Sequence, residues 1–231
     1  MKGFTKRAIL AACVGAAMLI TVGCGSNQSS QSTQLTYNGS STLAPVISKI
    51  ATDFTEKNKT WNHADSSLPD KDITIYVSSG GSGTGIKAVI DGTADFGLVA
   101  REVKDSEKAK IKDYNEIKVG IDALTIAVNP ENPLYAIKDN LTKEEIIKIF
   151  SGEYKTWNQV DPSLPNQEII VVTRDLGGGA HEVFQQKIMG SVEVTKDAIQ
   201  APSMGALVTK VKENKYAIGY ASYGMLGQNK G

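Results

Sequence analysis

Ser78-Ser-Gly-Gly-Ser-Gly-Thr-Gly-Ile-Lys87 lies between two apolar runs, Ile73-Thr-Ile-Tyr-Val77 and Ile86-Lys-Ala-Val-Ile90. The first run suits a strand and the second a helix, so the glycine-rich stretch is predicted to turn one into the other. A strand, a glycine turn and a helix start together make a recurrent anion-binding device. The N–H groups of the first helical turn lack partners within the helix, and the helix dipole favours negative charge there. Ser82 and Thr84 add hydroxyl donors. A plain strand-to-helix loop has the same composition. The stretch matches neither GxGxxG nor a P-loop closed by Gly-Lys-Ser/Thr.

A second copy of the same design strengthens the anion reading. Thr60-Trp-Asn62, Asp65, Ser67-Leu-Pro69, a β-rich run and Gly80-Gly-Ser-Gly83 are followed by a counterpart. That counterpart is Thr156-Trp-Asn158, Asp161, Ser163-Leu-Pro165, Ile169-Ile-Val-Val172 and Gly177-Gly-Gly179. The offset is 96 positions throughout, from Trp61 to Trp157 and from Gly81 to Gly177. Such a period is too long for a solenoid repeat. It fits two lobes of similar design, whose glycine loops would grip one small anion between them.

Around these loops strands and helices alternate, which predicts an α/β fold with largely parallel sheets. Ligands of such folds sit beyond the carboxyl ends of the strands, where the glycine loops fall. Leu35-Thr-Tyr37 starts a strand, and the spacing of Leu43, Val46, Ile47, Ile50 and Phe54 is helical. Ser41 or Thr42 is the expected N-cap of that helix, with Pro45 in its first turn. The same Ser40-Ser41-Thr42 cluster can offer hydroxyls to an anion. Further strands are expected over 94–100, 116–121, 121–130 and 216–220. Short helices are expected over 105–112, 180–189 and 203–212. Thr142 with Glu145 reads as a capping box, and Leu141 with Ile146 as a hydrophobic staple, for a helix running to Phe150 and stopping at Gly152.

The 231 residues carry a formal net charge of zero, and 41% are hydrophobic. That is enough apolar content for a sizeable core and gives no support for a nucleic-acid partner. Lys2, Lys6 and Arg7 precede an apolar stretch from Ala8 to Val22, too short for a comfortable membrane span. Thr21-Val-Gly-Cys24 ends it and resembles a lipobox, although Thr21 stands where Leu, Val or Ile is usual. This predicts a signal peptide over 1–23 and a lipid on Cys24 that anchors an extracytoplasmic protein to the bacterial membrane. Cys13 would leave with the signal, so no intramolecular disulfide could form. Residues 24–34, polar and rich in Ser and Gln, read as a tether.

The start ending in Cys24, GSSTLAPV near residue 40, SSGGSGTGIK, ADFGLVAREV, VNPENPL, LTKEEIIKIFSGEYKTW, VVTRD and AIGY resemble the phosphate-binding lipoproteins of phosphate-specific ABC transporters. That family has the type II periplasmic-binding-protein fold. The resemblance implies two lobes, 35–122 with part of the C-terminal end (about 221–231) and 123–220, joined by crossing strands and closing on phosphate. It implies capture of inorganic phosphate by a monomer that delivers it to permease subunits, with no cofactor. Carried over, Ser41 and Thr42, with Ser40 beside them, meet the phosphate from one loop, and Ser82 with the N–H of Gly83 from a second. Arg174 and the backbone of Gly178, Gly179 and Ala180 meet it from the third. A planar guanidinium suits phosphate oxygens.

Three departures stand out. The loop after Arg174 lacks the two hydroxyls the family commonly carries, since Gly177-Gly-Gly-Ala180 takes their place. Ala100 occupies the position where the family often has an aspartate to accept the phosphate proton. Asp122, where the chain crosses between lobes, is the candidate replacement. The chain is also short for the family, so the segment returning to the first lobe is expected to be reduced or missing. Other oxyanions, sulfate or molybdate, stay open as ligands. Catalysis is disfavoured: His63 and His181 stand alone, Ser82 is not in a GxSxG elbow, and no Cys/His cluster has metal spacing.

Overall fold

The computed structural model describes residues 34–228. The expected signal peptide, Cys24 and all of the expected tether but Gln34 lie outside the described residues. β1 (Gln34–Gly39) leads through α1 (Ala44–Asn58) and the short α2 (Trp61–Ala64) to β2 (Thr74–Ser79), α3 (Ser82–Ile90), β3 (Phe96–Leu98) and α4 (Asp105–Lys108). β1 lies between β2 and β3 and runs parallel to both, which makes the sheet of the first lobe. An extended segment then reaches β4 (Leu124–Val128), α5 (Lys143–Phe150), α6 (Trp157–Val160) and β5 (Ile170–Arg174). α7 (Gly179–Phe184) continues through one π turn to Met189 and is followed by β6 (Ile199–Ala201), α8 (Met204–Glu213), β7 (Ala217–Ser222) and α9 (Tyr223–Gln228). The second sheet has the order β4-β7-β5-β6. β5 is parallel to β6 and β7, and only β4 runs antiparallel, against β7.

The 96-residue repeat persists to the level of single hydrogen bonds. Thr60 and Thr156 each donate from Oγ1 to the Asn two residues on, at 2.7 Å in both copies. The amides of Trp61 and Trp157 donate to Lys71 O and Gln167 O, at 2.9 Å in both. Isolated antiparallel bridges join Thr60 to Asp72 and Thr156 to Glu168. Asp65 and Asp161 accept from Ser67 and Ser163, and these bonds hold both carboxyls below the usual carboxylate range.

The expected capping box opens α5, with Thr142 Oγ1 accepting from Glu145 N at 3.2 Å and Glu145 Oε2 from Thr142 N at 2.7 Å. Gly152 ends that region with φ +80°. The α1 cap differs from expectation. Leu43 is the N-cap, and the hydroxyl that serves the entering backbone is that of Ser40, which accepts from Thr42 N and Leu43 N at 3.2 and 3.3 Å. A turn over 41–43 precedes the helix, so the useful oxygen lies further back in sequence.

No strand forms over 116–121, where one was expected. Alternation of Ile117, Val119 and Ile121 is a strand pattern, but among the described residues nothing pairs with it. Ile117 and Ile121 are 70% and 90% exposed. Ala221 and Ser222 end β7 inside the second sheet, and α9 follows them.

The main hydrophobic cluster lies in the second lobe, while Ile73, Ile86, Ala88 and Leu98 are buried in the first. Ile149, Phe150, Trp157, Val172, Phe184, Leu207, Ile218 and Tyr220 are all buried in one cluster. The rings of Phe184 and Tyr220 stack at 4.3 Å, and Phe150 meets Phe184 at 4.7 Å. α8 lies across β7, with Leu207, Val208 and Val211 facing inward at helical spacing.

Candidate anion site

The carboxyl ends of β1, β2 and β5 carry the predicted loops, and the loops of the two lobes touch. β2 delivers Gly80-Gly81 into α3, and β5 delivers Asp175 to Gly178 into α7. Gly81 has φ +101°, and a Cβ there would stand 2.6 Å from Gly177 O. A Cβ on Gly179 would overlap Ser82 Oγ. Side chains at these two positions would force the lobes apart, which is the physical reason for glycine in both loops.

Ser82 is fully buried at the start of α3, and its Oγ accepts the amide of Ala100 at 3.1 Å. Its hydroxyl proton remains to be donated. Gly83 follows in the first turn, near Gly177 O. Gly178, Gly179 and Ala180 are buried at the opening of α7. Their turn is tied by Gly178 N donating to Asp175 O at 2.9 Å.

Arg174 ends β5 and is only 2% exposed. Its backbone amide donates to Tyr220 Oη at 3.0 Å, and its Nε to Ala201 O at 3.1 Å. Nη2 donates to Asp175 Oδ1 at 2.8 Å and to Pro202 O at 3.2 Å. Nη1 crosses to the first lobe and donates to Ser41 Oγ at 2.9 Å. Ser41 Oγ also accepts the amide of Met204 at 3.2 Å, at the start of α8. Of the five guanidinium protons four are thus engaged, and one on Nη1 is left.

Ser41, Ser82, Arg174, Gly178 and Gly179 therefore come together where the lobes meet, and Ser40, buried, supports the first loop. Thr42 is half-buried beside them, with no side-chain bond to the others. Asp122 is exposed ahead of β4 and bonds to none of these residues. Pairing of Leu124 with Ser222 puts it at the same end of the second sheet as Arg174. The carboxylate that touches Arg174 is Asp175.

Four contributors were not singled out from sequence. Tyr220 is buried, and its hydroxyl orients Arg174 and Thr173, at 2.8 Å from Thr173 Oγ1. Burial raises its pKa. Arg101, whose side chain is 5% exposed, forms a two-pronged pair with Glu107 at 2.8 and 2.9 Å. That hydrogen bond holds the Glu107 carboxyl down. Arg101 Nε also stands 3.1 Å from Glu182 of α7. Arg101 directly follows the strand-like run over 94–100, but its pairing with Glu182, some eighty positions on, leaves no mark in the sequence.

A family model described as a PBP superfamily domain matches residues 25–231. The chain belongs to that superfamily. A phosphate-binding protein PstS of Staphylococcus saprophyticus is 33% identical over 227 residues, covering 94% of this chain and 65% of that relative. This PBP-superfamily chain thus spans just under two thirds of the curated relative's length. Among solved structures, a putative phosphate ABC transporter substrate-binding protein with bound phosphate from Clostridium perfringens superposes with a TM-score of 0.69 at 25% identity. The match covers 82% of this chain and 70% of that one. An ABC-type phosphate transport receptor from Vibrio cholerae gives 0.57 at 27% identity, covering 83% and 72%. The α/β architecture with parallel-dominated sheets is that of type II periplasmic binding proteins.

Proposed function

We propose that this protein binds inorganic phosphate outside the cytoplasm and hands it to the permease of an ABC transporter. The observation that carries the reading is the buried Arg174, aimed across the lobes at Ser41 where two glycine turns meet. A buried guanidinium with spare donor capacity, ringed by hydroxyls and first-turn amides, is chemistry for an oxyanion. The relatives above carry phosphate-binding names, which agrees with it.

In this reading the ligand takes over the place of Ser41 as acceptor for Nη1, and Ser41 turns from acceptor to donor. Ser40, Thr42, Ser82 and Gly83 serve from the first lobe, and Gly178, Gly179 and Ala180 from the second. Asp122 accepts the phosphate proton. The two lobes, 35–122 and 123–220, act as jaws, and a lipid on Cys24 holds the monomer at the membrane. Binding rather than catalysis is the activity in this reading, in line with the phosphate-binding names of the relatives.

One observation keeps a second ligand in view. Ala100 offers Ser82 an amide and no carboxylate, so discrimination against sulfate lacks an acceptor at that position. Titration calorimetry with phosphate and with sulfate tests both readings. Saturable one-to-one binding of phosphate is expected. Binding of neither anion would overturn the assignment, and tighter sulfate binding would replace the ligand.

A further inference from the structure

Beside the anion cleft lies a group of charges that the binding role does not use. Arg101 leaves the carboxyl end of β3 in the first lobe and lies beside Glu107, its partner at 2.8 Å. Its Nε stands 3.1 Å from Glu182 Oε1 of α7, in the second lobe, as an ion pair without hydrogen-bond alignment. Lys104, on the same loop as Arg101, reaches the other oxygen of Glu182 at 2.8 Å. Glu182 is thus held by two cations of the opposite lobe. The aliphatic stem of Arg101 borders the contact between Ser82 and Gly179, since a Cβ on Gly179 would lie 3.5 Å from Arg101 Cγ. Glu182 sits on the first turn of α7, whose opening residues are Gly179 and Ala180.

We propose that Arg101, Lys104 and Glu182 form an ionic clasp that holds the two lobes closed. In it Arg101 and Glu182 are positioning residues for the anion site, a role that rests on the phosphate-binding reading. Arg101 is fixed from its own side by Glu107, so its guanidinium lies beside Glu182 with little conformational freedom left to lose. With Arg101 nearly buried, water screens this pair less than it would an exposed one. Lys104, more than half exposed, contributes less and is more sensitive to salt. The clasp acts through populations. Binding needs the closed arrangement, and a weaker clasp lowers the fraction of closed molecules and the apparent affinity with it.

The test combines phosphate titration with hydrogen exchange on the purified protein. Glu182→Gln keeps the shape and removes the charge. It is expected to weaken phosphate binding about tenfold and to speed exchange of amides 82–84 and 179–182 together, because both turns lose their cover at once. Glu107→Gln, confined to the first lobe, should have a smaller effect. Glu182→Asp, which keeps the charge, should retain part of the affinity that Glu182→Gln loses, which a merely structural role would not predict. In the unaltered protein, raising sodium chloride should speed exchange at the same two turns. The exchange readout needs no ligand, so failure of phosphate to bind would overturn the proposed function and leave the clasp measurable. Unchanged exchange and unchanged affinity in Glu182→Gln would overturn the clasp.

Discussion

Residues 60–73 and 156–169 share one design and nearly one set of hydrogen bonds, yet they are buried to different degrees. Leu68 is 42% exposed, and its counterpart Leu164 only 3%. Trp157 is fully buried, with Nε1 donating to Tyr216 O at 3.1 Å, whereas Trp61 is half-buried. The turn over these residues is therefore written locally, by Thr, Asn, Asp and Ser at fixed spacing. Burial is decided by what stands opposite. In the second lobe Trp157 and Leu164 join the buried cluster that includes Phe150, Leu207 and Ile218. The three-stranded first sheet instead leaves Val46, Ile50 and Tyr76 at 46%, 52% and 57% exposure. Matched hydrogen bonds thus sit on unequal hydrophobic support.

Truncating the two leucines gives the widest contrast. Leu164→Ala should cost about 2–5 kcal/mol of unfolding free energy, since it opens a cavity in packed surroundings. Leu68→Ala should change stability by about 0.5 kcal/mol or less, because its side chain already meets water. Urea unfolding of both variants measures the difference. Equal losses would mean that the first copy is covered in solution by something that packs as well as the second lobe does.

Arg174 ties the two regions together, and its replacement should be felt in binding and in folding. Arg174→Ala is expected to weaken phosphate by about 1.5–3 kcal/mol, more than tenfold, through loss of a charge-assisted bond. Read from sequence, the same change should leave the fold nearly untouched. The structure argues otherwise, because Ala201 O and Pro202 O, with Ser41 Oγ, would each lose a donor from the guanidinium. Arg174→Lys should restore part of the binding, lacking the planar fork. Calorimetry beside urea unfolding separates the two losses. Unchanged affinity in Arg174→Ala would place the anion elsewhere.

Most of the local design was legible, and most of what joins distant parts was not. The glycine turn after β2, the capping box at Thr142 and Glu145, and the repeat all rest on neighbours in sequence. The failures share one cause. Residues 116–121 have strand alternation, but a strand needs a partner, and alternation does not say whether one exists. Sequence places the α1 cap one or two positions past Ser40, because three hydroxyls in a row look alike until the turn is built. Arg174 was found from its place before the glycine loop. Arg101, Glu182 and Tyr220 were missed, because only the folded chain brings them to it.

A smaller effect is expected at Asp122. If this exposed carboxylate accepts the phosphate proton, Asp122→Asn should lower phosphate affinity and raise that of sulfate, since an amide can donate where the carboxylate cannot. Exposure limits the change to an amount on the order of a few-fold. Competition between labelled phosphate and sulfate reads the ratio. An unchanged ratio would pass the role to Asp175, the acid already on Arg174, and Asp175→Asn would be the next variant.

The smallest expected effect is a pH dependence from His181. It lies on α7, half-buried, with Nδ1 3.4 Å from Thr173 Oγ1 and 3.5 Å from Tyr220 Oη. Burial lowers its pKa from the ordinary 6.5. Glu193, Glu182 and Asp175 pull it upward and Arg174 pushes it down, and burial prevails. A histidine with a depressed folded pKa gains its proton more readily in the unfolded chain. As the pH drops below the ordinary value the unfolded state binds the proton first, and stability declines until the folded imidazole is protonated too. The contribution is complete above the unfolded value and is lost as the pH falls through the folded one. Urea midpoints at about pH 7.5 and about pH 5.5 should therefore fall for the unaltered protein and fall less for His181→Gln. Because Tyr220 Oη accepts the Arg174 amide at 3.0 Å, a charge on His181 also presses on the residue that orients Arg174. Phosphate affinity should weaken over the same interval in the unaltered protein, beyond what the titration of phosphate itself explains. Identical slopes in protein and variant would assign the acid sensitivity to the carboxylates.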